Sequence, residues 1–159
     1  MQPTEQASQE AAAPGGDFEV REMLCLALHR ASRAITSQYR PLLAPHGLTY
    51  PQYLVITLLR ISGTTTVGGV GEELGLESST LSPLLTRLAE RGLVTRTRST
   101  DDERRVEVSL TPQGRALGEE LADVPWAVCR ATGLSVPEMK GVVAQLTEMV
   151  DRLERPPAA

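Results

Sequence analysis

Apolar residues recur at the spacing of an α-helix over most of the chain, which predicts a mainly helical fold. The first helix is expected to begin near Phe18 and to end at about Arg40, because Pro41 interrupts the pattern there. A turn at residues 45–47 follows, and Thr49 is the expected cap of a second helix.

Two further helices with a tight turn between them are predicted in the middle of the chain. The shorter helix spans 67–74, with Thr66 as its cap and Gly75 at its end. The longer helix runs from Ser78 or Ser79 to Arg91, with four leucines on one face and Gly92 as its terminator. A short helix, a glycine turn and an amphipathic helix are typical of a helix-turn-helix.

After this pair, the period of the pattern changes from helical to alternating. Residues 93–98 and 105–110 alternate between apolar and polar side chains, and a charged turn, 99–103, lies between them. The sequence therefore predicts a β-hairpin, which makes the fold mainly α with a small β wing.

The remainder of the chain is predicted to form two more helices. Thr111 caps the first, with Pro125 as a candidate kink, and Ser135 caps the second. With 159 residues, the chain has room for one domain, expected over 17–155, and residues 1–16 are expected to be a disordered tail.

Composition excludes several classes of function. The two cysteines are too few and too far apart for a metal knuckle, and we expect no metal and no cofactor. No apolar run approaches the roughly 20 residues that cross a bilayer, and the first residues do not resemble a signal peptide, so a cytoplasmic location is expected. The net charge of −4 gives no overall attraction to nucleic acid.

Basic residues are nevertheless concentrated in the helix-turn-helix and hairpin region. All but one of the 16 basic residues are arginines, and six of these lie between Ser78 and Arg105, against four acids. The start of the 78–91 helix carries short hydroxyl side chains, which fit the major groove of DNA. Arg104 at the hairpin tip could enter the minor groove while Asp102 fixes its direction; the alternative is a solvated charged tip. The candidate DNA-binding residues are Ser78, Ser79, Thr80, Ser82, Pro83, Arg87, Asp102, Arg104 and Arg105.

These segments together resemble the MarR family of winged-helix regulators, and the resemblance covers nearly everything from Phe18 to Leu153. It implies an intertwined homodimer in which residues 17–44 and 111–155 form the dimerisation helices. Residues 49–110 would form the winged helix-turn-helix lobe, and the dimer would bind a pseudo-palindromic operator in double-stranded DNA. The motifs that carry the resemblance are Ser78 to Arg91, Gly92-Leu93-Val94, Asp101-Asp102-Glu103-Arg104-Arg105 and Leu110-Thr111-Pro112-Gln113-Gly114.

Within that family, three segments are similar to the organic hydroperoxide resistance regulators. That likeness implies that Cys25 is the peroxide sensor and that Tyr39 and Tyr50 hydrogen-bond its sulfur across the dimer. His29 stands where some members have a third tyrosine, and its role is left open. The segments are Leu24-Cys25-Leu26-Ala27-Leu28, Tyr39-Arg40-Pro41-Leu42-Leu43 and Gly47-Leu48-Thr49-Tyr50-Pro51-Gln52-Tyr53-Leu54.

The implied function is that of a repressor that releases its operator when an organic hydroperoxide oxidises Cys25. A thiolate is the attacking species, and hydroxyl donors that stabilise the anion favour it. The product is a sulfenic acid, which can condense with a second thiol. The resemblance places a resolving cysteine at Cys129, late in the fifth helix, and a small cellular thiol is the alternative.

Three other functions are compatible with parts of the pattern. One is a regulator of the same fold controlled by a phenolic or drug-like ligand, with Cys25 as a buried structural residue. Another is a thiol peroxidase, although this sequence has no recognisable peroxidase motif and no obvious arginine to activate the cysteine. The third is an interaction module that does not bind DNA. We expect a regulator rather than an enzyme.

Overall fold

A computed structural model describes residues 19–99 and 105–155. The described residues up to Arg33 belong to one compact unit and those from Ala34 onward to another. The first unit contains a 3-10 turn, Val20–Glu22, and the first turns of α1. The helices are α1 (Leu24–Leu43), α2 (Tyr50–Ser62), α3 (Val67–Leu74), α4 (Ser78–Glu90), α5 (Pro112–Glu120), α6 (Val124–Thr132) and α7 (Val136–Glu154). The strands are β1 (Thr65–Thr66), β2 (Val94–Arg98) and β3 (Val106–Leu110).

Pro41 does not end the first helix, contrary to the sequence prediction. It lies inside α1, which continues to Leu43 before a 3-10 turn, Ala44–His46, and Gly47 at φ 61°. Proline removes one backbone donor but keeps a helical φ, so a helix can continue for a few residues when its end is anchored by packing. Leu43 supplies that anchor, since it is buried in the core.

Local capping signals set the starts of the later helices. The Thr49 hydroxyl accepts a hydrogen bond from the Gln52 backbone N–H, and the Gln52 side chain accepts one from the Thr49 N–H. Thr66 caps α3 by accepting from the Gly69 N–H at 3.0 Å. Ser135 and Glu138 form a second capping box at the start of α7. Each of these caps was predicted from the sequence.

The three strands form one antiparallel sheet in the order β1-β3-β2. The hairpin register pairs Val94 with Leu110 and Arg98 with Val106. The two-residue strand β1 was not predicted; Thr65 pairs with Val108 of β3 and attaches the start of α3 to the hairpin.

The core lies between α2, α4, α5 and the sheet. The four leucines predicted on one face of α4 are all buried, and they pack with the buried face of α2 and with Val108. Burial of such side chains stabilises a fold by about 1.5–3 kcal/mol each. The α4 leucines are Leu81, Leu84, Leu85 and Leu88.

The helix expected after Thr111 is two helices rather than one kinked helix. Helix α5 ends at Glu120, a turn follows, and α6 begins at Val124 with Pro125 in its first turn. A proline is tolerated there because the first N–H groups of a helix have no partner within it. Cys129 therefore lies in α6, not late in the fifth helix as predicted.

No helix within residues 19–99 and 105–155 is long and apolar enough to cross a membrane.

Candidate nucleic-acid interface and redox site

Helices α3 and α4 form a tight helix-turn-helix. Gly75 has φ 61°, and the Leu76 N–H donates to the Gly71 carbonyl oxygen at 2.9 Å. A Cβ atom at Gly71 would lie 2.9 Å from the Leu76 carbonyl oxygen, which is shorter than real Cβ contacts allow. The turn therefore requires glycine at both positions, and it fixes the angle at which α4 leaves α3.

The predicted recognition residues share the exposed side of α4. Because the leucines occupy the opposite side, the hydroxyl side chains at the start of the helix face solvent. Pro83 lies in the second turn of α4, so its missing N–H removes a bond within the helix. The exposed residues are Ser78, Ser79, Thr80, Ser82, Pro83 and Arg87.

The hairpin contributes arginines beside this helix. Arg105 is exposed, and its carbonyl oxygen accepts from the Ser99 N–H at 2.9 Å, which closes the base of the hairpin tip. The predicted tip residues Asp102 and Arg104 lie outside the described residues. Arg105 also lines an open groove of about 380 Å³ between the hairpin and the start of α3, together with Arg96, Thr66, Val67, Gly68 and Val106.

Arg96 was not predicted as a site residue. Its Nη1 donates to the Thr86 hydroxyl at 3.4 Å, and that hydroxyl donates to the Ser82 carbonyl oxygen at 3.0 Å. The hairpin is thus connected to the recognition face of α4 through Thr86. Arg96 follows the buried Val94 by two residues and so lies on the same face of β2, which could have indicated that its side chain approaches α4.

Cys25 lies in the first turn of α1, within the first compact unit, and its side chain is exposed. His29, one helical turn later, is also exposed. The prediction that Cys25 is a reactive thiol requires such access, because a peroxide must reach the sulfur. The alternative interpretation, in which Cys25 is a buried structural residue, does not fit this exposure.

Three tyrosines cluster in the second unit. The ring centroids of Tyr39 and Tyr50 are 4.6 Å apart, and those of Tyr39 and Tyr53 are 5.6 Å apart. Burial and the neighbouring tyrosines raise the pKa of Tyr39 to about 12, and burial also raises the pKa values of Tyr50 and Tyr53. All three hydroxyls therefore stay protonated at neutral pH and can act as hydrogen-bond donors. Tyr53 was not predicted, although it follows Tyr50 by three residues and so shares its helix face.

Cys129 is buried in α6, with 7% of its surface exposed. Its Sγ donates a weak hydrogen bond to the Leu134 carbonyl oxygen at 3.9 Å. The thiol therefore lies beneath the turn between α6 and α7, where Gly133 has φ 74°. A partner thiol could reach it only after the residues that cover it move.

Helix α7 carries its apolar stripe on its exposed surface. None of its side chains is buried, and Leu153 is 77% exposed. On α1, Leu24 and Ile35 are also exposed. A stripe of exposed apolar side chains along one helix, as on α7, is rare on a monomer and marks an interaction face. The exposed residues of the α7 stripe are Val142, Val143, Leu146, Val150 and Leu153.

The part of the chain from α2 to β3 is a winged helix-turn-helix, a class of nucleic-acid-binding fold. The MarR family pattern matches residues 48–106. The organic hydroperoxide resistance transcriptional regulator of Bacillus subtilis is 39% identical over 87% of this chain and 94% of its own length. The chain therefore belongs to the MarR family, as its sequence motifs predicted, and it is a transcriptional regulator rather than an enzyme.

Solved structures agree with this assignment. BpsR of Bordetella bronchiseptica, whose DNA binding is regulated by 6-hydroxynicotinic acid, superposes with a TM-score of 0.78 and 28% identity, covering 86% of this chain and 99% of its own. Reduced AbfR bound to DNA superposes with a TM-score of 0.69 and 32% identity, covering 83% and 92%. The predicted fold class is confirmed.

Proposed function

We propose that this protein is a dimeric repressor that binds operator DNA and releases it when an organic hydroperoxide oxidises Cys25. The exposure of Cys25 is the observation that carries the proposal, because it occurs in a chain that is 39% identical to an organic hydroperoxide resistance regulator. As a DNA-binding transcriptional regulator, the protein would act in the cytoplasm.

The exposed face of α4 supports DNA binding. Short hydroxyl side chains at its start can approach base edges in the major groove, and Arg87 can reach a guanine or a phosphate. In the proposal, Arg105 contacts the phosphate backbone of the DNA beside the β2–β3 hairpin, which forms the wing. Arg104 enters the minor groove, and Asp102 orients Arg104. AbfR, one of the structural relatives, is DNA-bound.

The exposed apolar stripes support a homodimer. Burying a side chain such as Leu146 or Val150 against a partner stabilises by up to about 1.5–3 kcal/mol. In the proposal, residues 17–44 and 111–155 of two chains interlock, and residues 49–110 of each chain form one DNA-binding lobe of a single 17–155 domain. Two lobes related by a two-fold axis match a pseudo-palindromic operator.

The chemical step begins with the Cys25 thiolate. The sulfur attacks the outer peroxide oxygen, the O–O bond breaks, and the alkoxide takes a proton and leaves as an alcohol. Sulfur is oxidised to a sulfenic acid and the peroxide is reduced. Tyrosine hydroxyls held protonated, such as Tyr39 and Tyr50 of a second subunit, would stabilise the thiolate by donating hydrogen bonds. We assign His29 no step.

A second thiol would complete the switch. It attacks the oxidised sulfur, a disulfide forms, and hydroxide leaves and is protonated to water. Cys129 of the opposite subunit is the proposed resolving residue, and its burial means that the residues that cover it must move before the bond can form. In the proposal, that movement changes the separation of the DNA-binding lobes.

Cysteine variants test this chemistry. After one equivalent of cumene hydroperoxide, the wild type is expected to gain a subunit-linking disulfide visible on a non-reducing gel. Cys129→Ser is expected to stop at the sulfenic acid or a mixed disulfide with an added small thiol, and Cys25→Ser is expected not to react. Equal peroxide consumption by Cys25→Ser and the wild type would refute the sensor assignment.

One alternative has a specific observation in its favour. The DNA binding of BpsR is regulated by 6-hydroxynicotinic acid, so a small aromatic acid is a second candidate signal. If 6-hydroxynicotinic acid weakens operator binding by Cys25→Ser as much as by the wild type, while peroxide has no effect on either, the chain is a ligand-controlled regulator.

A further inference from the structure

The C-terminal end of α4 is tied to the turn that follows α1. Arg91, the C-cap residue of α4, donates from Nη1 to the Gly47 carbonyl oxygen at 2.8 Å and from Nη2 to the His46 carbonyl oxygen at 2.7 Å. The two partners are 44 and 45 residues away in sequence, so this is a tertiary connection. It joins the C-cap of α4, the proposed recognition helix, to the turn that follows α1.

The shape of the turn suits a guanidinium group. Gly47 has φ 61°, and it follows the 3-10 turn Ala44–His46, so two successive carbonyl oxygens are presented to the same side chain. Guanidinium places two N–H donors in a rigid fork, whereas a lysine ammonium is a single point that cannot reproduce both bonds. Both terminal nitrogens of Arg91 therefore donate hydrogen bonds within the protein.

The residues after Arg91 are held by the start of α5. The Thr111 hydroxyl donates to the Gly92 carbonyl oxygen at 2.6 Å, and the Thr111 N–H donates to the Leu93 carbonyl oxygen at 3.1 Å. The segment 91–93 is thus connected to the turn after α1 on one side and to α5 on the other. In the proposed function, the turn follows the first dimerisation segment, 17–44, and α5 lies within the second, 111–155.

We propose that Arg91 is a positioning residue that couples movement at the end of α1 to the orientation of the recognition helix. When α1 shifts, the two carbonyl oxygens carry the guanidinium with them, and the C-terminal end of α4 follows. The core leucines hold the other side of α4, so the displacement becomes a tilt of its exposed face. The identity of the signal that moves α1 rests on the proposed function.

The experiment compares full-length wild type with Arg91→Ala and Arg91→Lys, and Arg115→Ala is the matched control because Arg115 is an exposed arginine on α5. The operator Kd is measured at one salt concentration before and after cumene hydroperoxide. In Arg91→Ala the ratio of oxidised to reduced Kd is expected to fall at least tenfold, with the rate of Cys25 oxidation unchanged. Arg91→Lys is expected to be intermediate and Arg115→Ala to match the wild type.

Two results would overturn the coupling role. One is a ratio of oxidised to reduced Kd in Arg91→Ala that equals the wild-type ratio. The other is an equal loss of affinity in both redox states with a weaker salt dependence, which would make Arg91 a phosphate contact. If Arg91→Ala does not fold, Arg91→Lys is decisive, because it keeps the charge and loses the fork.

A peroxide-insensitive wild type would contradict the proposed function, and the coupling would then be decided by hydrogen exchange. Operator binding is expected to slow amide exchange at residues 44–48 in the wild type but not in Arg91→Ala. Equal slowing in both proteins would overturn the coupling independently of the signal.

Discussion

Gly114 in α5 lies against the Leu93 carbonyl oxygen so closely that a Cβ atom at position 114 would be 1.9 Å from it. Glycine is therefore needed there for space. The contact brings the first turn of α5 against the segment that joins α4 to the hairpin, and the Thr111 cap bonds reinforce it. The same junction thus sets the positions of the recognition helix, the wing and α5.

Gly114→Ala is expected to destabilise the protein by about 2–4 kcal/mol, because the obstructing atoms are backbone and cannot rotate away. The measurement is the free energy of unfolding in urea. Gly68→Ala is the matched control, since the nearest atom to its added Cβ is 3.9 Å away and a helical glycine costs about 0.5–1 kcal/mol relative to alanine. Equal stability of the two variants would contradict the close contact.

Thr111→Val is expected to destabilise by about 1–3 kcal/mol. Valine has the same shape but cannot accept from the Gly114 N–H or donate to the Gly92 carbonyl oxygen, so a cap and a tertiary hydrogen bond are lost together. Thermal unfolding of the variant beside Thr111→Ser measures the effect. Because serine keeps the hydroxyl, a loss as large in Thr111→Ser would argue against hydrogen bonding as the cause.

Local signals in the sequence were sufficient to predict most elements. The caps at Thr49, Thr66, Thr111 and Ser135 were identifiable because each bonds a backbone group three residues away. Strand β1 was missed because two residues have no period, and it forms only by pairing with β3. Tertiary packing decides such cases, as it also does for the continuation of α1 through Pro41.

The candidate site was predicted in part. Exposure of the hydroxyl side chains on α4 followed from its helical period, since the leucines define the opposite face. The Arg91 bonds to His46 and Gly47 were missed, because a contact across 44 residues leaves no periodic trace in one sequence. The break before α6 was missed because a proline has the same local signature at a kink and in a first turn.

Arg87→Ala is expected to weaken operator binding by about 5- to 150-fold, since an exposed arginine on the recognition helix contributes about 1–3 kcal/mol when it reads a base. Fluorescence anisotropy at several salt concentrations is the measurement. Lys140→Ala, an exposed cation on α7, is the control and is expected to bind as the wild type does. Indistinguishable affinities for the two variants would exclude Arg87 from the interface.

Stability is expected to fall between pH 10 and pH 12 through Tyr39. Its pKa is raised by burial to about 12 in the folded chain, against an ordinary value of about 10. In this window the unfolded chain loses the proton first, so it binds fewer protons than the folded chain and unfolding becomes more favourable as pH rises. Urea unfolding of Tyr39→Phe at about pH 9, 10, 11 and 12, which brackets these two values, should show a smaller loss of stability than the wild type. An equal loss of unfolding free energy in the wild type and in Tyr39→Phe would show that Tyr39 is not the cause.

The central claim is tested most directly by the operator affinity of the reduced protein before and after stoichiometric cumene hydroperoxide, at one fixed salt concentration. We predict tight binding that peroxide abolishes in the wild type, that a thiol reductant restores, and that persists in Cys25→Ser. Tight wild-type binding that survives peroxide would contradict the account and leave a winged-helix regulator that responds to another signal.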